Sequence, residues 1–303
     1  STLFPYTTLF RSRTGQLADA ELIAEDSTVG YRQYRLGKPL QPGATLDFTF
    51  TIARAERGFT NDGLPPSSGG GDMRSTLNYN GTFFNSIGMM PHFGYSESVQ
   101  LVDRNERRKR GLPDVQRMPK LEDEAARNSI GFADADWIDF ETTVSTGEDQ
   151  IAIAPGYLQR EWTENGRRYF HYKMDQPMLA FYCYLSARWD VKRDAWQGVP
   201  IEIYYDPQHP YNVDRMIDGT KKSLDYFSKN FSPYQHRQVR ILEFPRYARF
   251  AQSFANTIPF SEAIGFIADL RKPEDVDYVF YVTAHEMAHQ WWAHQVIGAN
   301  VRF

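Results

Sequence analysis

The hydrophobic period of this chain changes once, near Asp206, and that change limits the fold to a β-rich part followed by a mixed α/β part. Before it, apolar and polar residues alternate. In "LDFTFTI", Leu46, Phe48, Phe50 and Ile52 keep the period of a half-buried strand, and "IDFETTV" repeats it with Ile138, Phe140, Thr142 and Val144. "QREWTENGRRYFHYKM" sets Asn165-Gly166 between two strand-like runs, and both residue types accept the positive φ of a tight hairpin turn. "MLAFYCYLSARW" and "IEIYY" read as further strands, and "NDGLPPSSGGGD" at 61–72 as a surface loop. After Asp206, Val213, Met216, Ile217, Thr220, Leu224 and Phe227 fall on one helical face, with Asn212 as N-cap and Ser232-Pro233 as the stop. "QVRILEF" and "AIGFIADL" read as buried strands, and the segment after Pro273, "EDVDYVFYVTAHEMAHQWWAH", is apolar on most faces and reads as a buried helix. The expected division is an all-β domain over 13–205 and an α/β domain over 206–303.

The chain is long enough for both, with 303 residues, 41% hydrophobic and 15% aromatic. A net charge of -4 gives no pull toward nucleic acid or anionic membrane, so no nucleic-acid partner is expected. The single cysteine, Cys183, excludes an internal disulfide and reads as a small buried residue. No apolar run approaches the roughly 18–20 residues of a membrane span. The start is different in kind. "TLFPYTTLFRS" is the in-frame translation of a common sequencing adapter, so residues 1–12 are expected to be read-through and natural sequence to begin near Arg13.

The chemistry sits in His285-Glu286-Met287-Ala288-His289. Imidazoles at i and i+4 of a helix share one face about a turn apart, close enough to hold one metal ion. Zinc takes neutral imidazole nitrogen well, and a catalytic zinc keeps three protein ligands plus water. Glu286 beside the pair can take a proton from the attacking water. His294, five positions after His289, would point about 140° around a continuing helix and is expected to be structural.

"HEMAHQWW" resembles the zinc-binding helix of the aminopeptidase N family of metallopeptidases, whose pattern continues past the second histidine with Gln-Trp-Trp or Gln-Trp-Phe. That family is a gluzincin with a saddle-like β-sandwich domain followed by a thermolysin-like catalytic domain. The resemblance therefore implies Zn2+ held by His285 and His289, with Glu286 as general base. It also implies a third ligand, a glutamate about nineteen residues beyond His289 and so past Phe303, which makes this chain a fragment expected to be inactive by itself. The family's Gly-Ala-Met-Glu-Asn stretch has its counterpart in "PFSEAIGFI", where Glu262 falls on the glutamate that holds the substrate's free α-amino group and Gly265 on a later glycine. Pro259, Phe260 and Ser261 replace Gly-Ala-Met and Ala263 replaces Asn, a loss of an amide donor that puts exopeptidase efficiency in doubt. "SFANTIPFSEAIGF" and "HQWWAHQVIGAN" look similar to a subgroup fused to an ABC-transporter-permease-like membrane part, which implies a membrane-attached parent.

The implied function is a zinc aminopeptidase acting on peptides with a free N-terminus. Two other classes stay open: a non-catalytic binding module of a transporter-associated membrane protein, and a zinc endopeptidase without amine recognition. "RNERRKRG" at 104–111, followed by acidic "KLEDEAAR", reads as a solvated loop. Asp134, Asp136, Asp139 and Glu141 alternate with apolar residues and read as the wet side of a strand rather than an acid/base pair.

Overall fold

The computed structural model describes residues 2–4, 20–26, 31–53, 77–93, 101–115, 118–127, 136–272 and 274–299. The loop expected at 61–72, Asp134, Pro273 and most of the stretch 1–12 lie outside them. The chain divides into two compact units, one made of 1–58, 87–135 and 298–303, the other of 59–86 and 136–297.

In the first unit, β1 (Thr2–Phe4), β2 (Ala20–Asp26), β3 (Tyr31–Leu36) and β5 (His92–Phe93) form an antiparallel sheet in the order β2-β3-β1-β5. The alternation at 46–52 makes no strand. A lone bridge residue, Thr49, interrupts irregular backbone, and Leu46 and Phe50 are exposed. Period-two alternation becomes a strand only where a neighbouring strand pairs with it and a face is buried. The basic run expected as a loop is instead helix α2 (Arg104–Lys109), capped by Asp103, whose carboxylate accepts from the Glu106 amide at 2.8 Å. Its Arg107 bonds the carbonyls of Pro113 and Leu101 at 2.6 and 2.7 Å, and Lys109 pairs with Glu106, so these charges serve local structure. A single turn, α3 (Glu124–Arg127), follows.

The second unit holds the larger core. β4 (Thr82–Asn85), followed by the turn α1 (Ser86–Met89), pairs with β12 (Cys183–Ala187), which pairs with β8 (Ile151–Ile153). Cys183 is buried, as its apolar run predicts. β6 (Trp137–Ile138) pairs with β11 (Met178–Leu179). β7 (Glu141–Gly147), β10 (Arg167–Lys173) and β9 (Tyr157–Glu164) form a third sheet. The β9–β10 hairpin turns on Asn165 and Gly166, at φ 51° and 72°, as their chemistry requires.

A mixed sheet carries the rest. β13 (Asp190–Trp196) and β14 (Val199–Tyr205) form a hairpin, and β14 continues in parallel to β15 (Val239–Phe244) and β16 (Thr257–Ser261). Two strands N-terminal to position 205 thus share a sheet with those beyond it. α4 (Val213–Asn230) crosses from β14 to β15 and buries Val213, Met216, Ile217, Thr220 and Leu224 at helical spacing. Val213, Met216, Ile217 and Leu224 pack with Ile201, Ile203, Ile241, Ile258 and Phe260 of the sheet and with Val279, Val282, Met287 and Trp291. Asn212 does not cap α4 through its side chain. Its amide donates instead to the carbonyls of Gly265 and Ala268, at 2.8 and 2.9 Å.

That bond explains why "AIGFIADL" is not a strand. Residues 263–267 form tight turns, with the Gly265 amide on the Ser261 carbonyl at 3.1 Å. A β-carbon on Gly265 would lie 2.6 Å from the Phe260 ring and 2.7 Å from Met216, so the backbone itself fills that space.

Candidate active site

Helix α5 (Tyr278–His289) carries the His-Glu-x-x-His sequence in the second unit. Asp277 caps it, accepting from the Phe280 amide at 2.9 Å and pairing with Arg215 of α4. α5 approaches α4 where α4 has Gly219: a β-carbon there would stand 3.3 Å from the Thr283 methyl. The buried face is Val279, Val282, Thr283, Glu286 and Met287. The other face is open, with Tyr278, Tyr281 and His285 exposed, so the helix is half-buried rather than apolar-enclosed as its composition predicts.

The helix ends at His289, and the next residues fix its C-terminal end. Gln290, fully buried, donates to the Ser253 hydroxyl at 2.5 Å and the Phe254 carbonyl at 2.9 Å, and accepts from the Asn256 amide at 2.9 Å. The Trp291 indole donates to the Ser232 carbonyl at 2.9 Å and packs against Phe227 and Tyr234. Ala293 then takes φ 135°, a conformation costly for a residue with a β-carbon. It turns the chain so that the Trp292 carbonyl accepts from His289 Nδ1 at 3.0 Å.

This leaves His289 Nε2 facing His285 Nε2 at 3.2 Å. Two nitrogens on one tetrahedral zinc, each about 2.05 Å from it, stand about 3.3 Å apart. The carbonyl on Nδ1 is the partner that frees the opposite nitrogen of a metal-binding imidazole. The donor set therefore fits one metal ion at these two histidines. Glu286, between them in sequence, is 5% exposed, and burial pushes its carboxyl up to about 7. Burial, and secondarily His289, lowers the pKa of His285. His294 is not on the helix. It is buried beside Ser253, its Nε2 donating to that residue's carbonyl at 3.0 Å.

Glu262 follows β16 directly and lies in a different cluster. Its Oε1 accepts from the Arg246 amide at 3.1 Å, and its Oε2 is 3.7 Å from His209 Nδ1. His209 Nδ1 also meets Glu243 Oε1 at 2.5 Å, and Glu243 accepts from the Asp206 amide. Burial pushes Glu243 up to about 7. Glu243, Glu262 and Asp206 line a small cleft with Asn80, Arg188 and Trp189. Among the described residues, the three that gather ligand atoms within 4.8 Å of one another are His209, Glu243 and Glu262. Sequence reasoning missed His209 and Glu243. The available signal was a carboxylate inside "VRILEF", a strand buried at every position.

No family model matches the chain. A leucyl aminopeptidase of Saccharolobus solfataricus is 25% identical over 159 residues, which are 52% of this chain and 20% of that protein. A probable aminopeptidase 1 of Sulfurisphaera tokodaii is 32% identical over 81 residues, 26% of this chain and 10% of that protein. The chain thus spans a fifth or less of the length of these relatives. A crystal structure of Legionella pneumophila aminopeptidase A in complex with aspartic acid is 20% identical, covers 60% of this chain and 23% of that one, and has a TM-score of 0.48. The chain therefore has weak sequence similarity to aminopeptidases. No helix among its described residues is long and apolar enough to cross a membrane.

Proposed function

We propose that this chain is part of a zinc-dependent aminopeptidase of the gluzincin type, with a β-rich domain leading into a thermolysin-like catalytic domain. The observation that carries the reading is the His285–His289 pair, 3.2 Å apart at Nε2, with His289 held through Nδ1 by the Trp292 carbonyl. His285 and His289 would hold the ion, and a glutamate from further along a longer polypeptide would complete the set. When bound, zinc supplies Lewis-acid polarisation of the scissile carbonyl and lowers the pKa of the attacking water. Glu286 takes that water's proton on its carboxylate and passes it to the leaving amine. A carboxyl pushed up to about 7 by burial accepts a proton at neutral pH far more readily than an exposed one. Glu262 receives the α-ammonium of a peptide with a free N-terminus. Attachment to a permease-like membrane part belongs to the same proposal and rests on the resemblance of the segments around Glu262 and His289.

Zinc content after dialysis against metal-buffered solution tests the reading. His285→Ala/His289→Ala is expected to lose an ion that the unaltered chain retains, and equal zinc in both proteins rejects it. In a longer polypeptide that includes the third ligand, aminoacyl-naphthylamides should be cleaved and N-acetylated peptides spared. Equal cleavage of both would make the enzyme an endopeptidase and remove the role given to Glu262.

A further inference from the structure

We propose that His209, Glu243 and Glu262 form a second divalent-cation site, with ligands separate from His285 and His289. The position is the first argument. β14, β15 and β16 run parallel and end at Tyr205, Phe244 and Ser261; His209 follows the first, Glu243 lies at the end of the second, and Glu262 follows the third. The cluster therefore sits at the carboxyl ends of three adjacent parallel strands, where open α/β sheets place their ligands.

The donor set is the second argument. One nitrogen and two carboxylate oxygens, each from a different element, converge within 4.8 Å. Ligands of one tetrahedral ion stand about 3.3 Å apart, so the separations of 2.5 Å and 3.7 Å at His209 Nδ1 differ from that spacing by about 0.8 Å and about 0.4 Å. Charge is the third. Glu243 is 4% exposed, Asp206 adds another carboxylate to the cleft, and Arg188 on its wall is engaged with Asp149. Arg246 stands 3.8 Å from Glu262, with its side chain 74% exposed. Carboxylates gathered in a cleft are stabilised by a bound cation.

Glu262 is also the residue to which the proposed function gives the substrate ammonium. If that reading holds, an ion in this cluster competes with substrate and excess zinc inhibits. The binding claim does not depend on it.

Equilibrium dialysis of the chain against zinc chloride, with bound metal quantified and folding checked by far-UV circular dichroism, tests the site. The unaltered chain is expected to bind two ions. His209→Ala and His285→Ala/His289→Ala should each bind one, and Glu262→Gln, which keeps the side-chain shape, should weaken one site about ten-fold or more. Stoichiometry and affinity unchanged in both His209→Ala and Glu262→Gln overturn the inference, as does a His285→Ala/His289→Ala protein that binds none. A double variant that binds as the unaltered chain does, while His209→Ala loses an ion, upholds this site and rejects zinc on α5.

Discussion

His294 shows how a buried group contributes to the acid response of this protein. Its ring is 3% exposed, Nε2 donates to the Ser253 carbonyl, and Nδ1 has no partner among the described residues. Burial pushes its pKa down to about 4, and burial pushes His236 down to about 3. An unfolded histidine titrates near 6.5. As pH falls below about 6.5, the unfolded chain takes up protons that these two histidines refuse in the folded chain, which costs stability down to about pH 4. Glu243 and Glu286, pushed up to about 7 by burial, take up protons first in the folded chain and offset that cost between about pH 7 and 4.5. The slope is at most about 1.4 kcal/mol per pH unit for each group. His294→Gln removes one of the opposing contributions, so in urea unfolding the variant should gain stability relative to the unaltered chain as pH falls from about 6.5 to about 4; parallel pH profiles would remove His294 from the account. Gln290 makes the opposite point, that of a fully satisfied side chain. Gln290→Ala strands the Asn256 amide and the Ser253 hydroxyl in a dry site and is expected to cost about 3 kcal/mol in the same assay. Nothing in "HEMAHQWW" marks Gln290 as the fastening of the helix, because its partners lie 34–37 residues earlier in the chain.

At the scale of elements, local periodicity succeeded where one short-range rule decides the structure. Asn165-Gly166 makes its hairpin because two residues alone satisfy the turn. The face of α4 follows from its 3.6-residue spacing. Runs 46–52 and 263–270 look like strands and are not, because pairing and close packing are settled elsewhere: Gly265 is claimed by Phe260, Met216 and Asn212. The α4–α5 contact rests on Gly219, which leaves no room for a larger side chain against Thr283 and Phe280. Gly219→Leu should separate the helices, lowering stability by about 2 kcal/mol despite leucine's better helix propensity. A thermal melt equal to that of the unaltered chain would show that the helices do not need this contact.

For the whole molecule, the helix-borne residues of the candidate site were legible, and of the strand-end residues only Glu262 was, through its resemblance, while His209 and Glu243 were not. His285, Glu286 and His289 lie within five consecutive residues, so one turn of helix brings the histidines together. His209, Glu243 and Glu262 are spread over 54 residues and meet only because parallel strands end side by side. Both halves belong to the unit that includes 136–297, so a ligand at either stabilises the same folded body. Zinc at 100 times its dissociation constant is expected to add about 2.7 kcal/mol per site and to raise the melting temperature. His285→Ala/His289→Ala should lower that rise, and a full response in the double variant would place the binding elsewhere.

Trp292 couples two properties that seldom fall on one residue. Its carbonyl holds His289, while the residue is 43% exposed and its indole packs edge-on against Phe231. Metal loading at His289 should therefore be readable as light. Tryptophan emission should change in intensity as zinc is titrated, and Trp292→Phe, which keeps the carbonyl, should erase the optical change while leaving the bound metal intact. An emission change that survives Trp292→Phe would trace the signal to another of the six tryptophans.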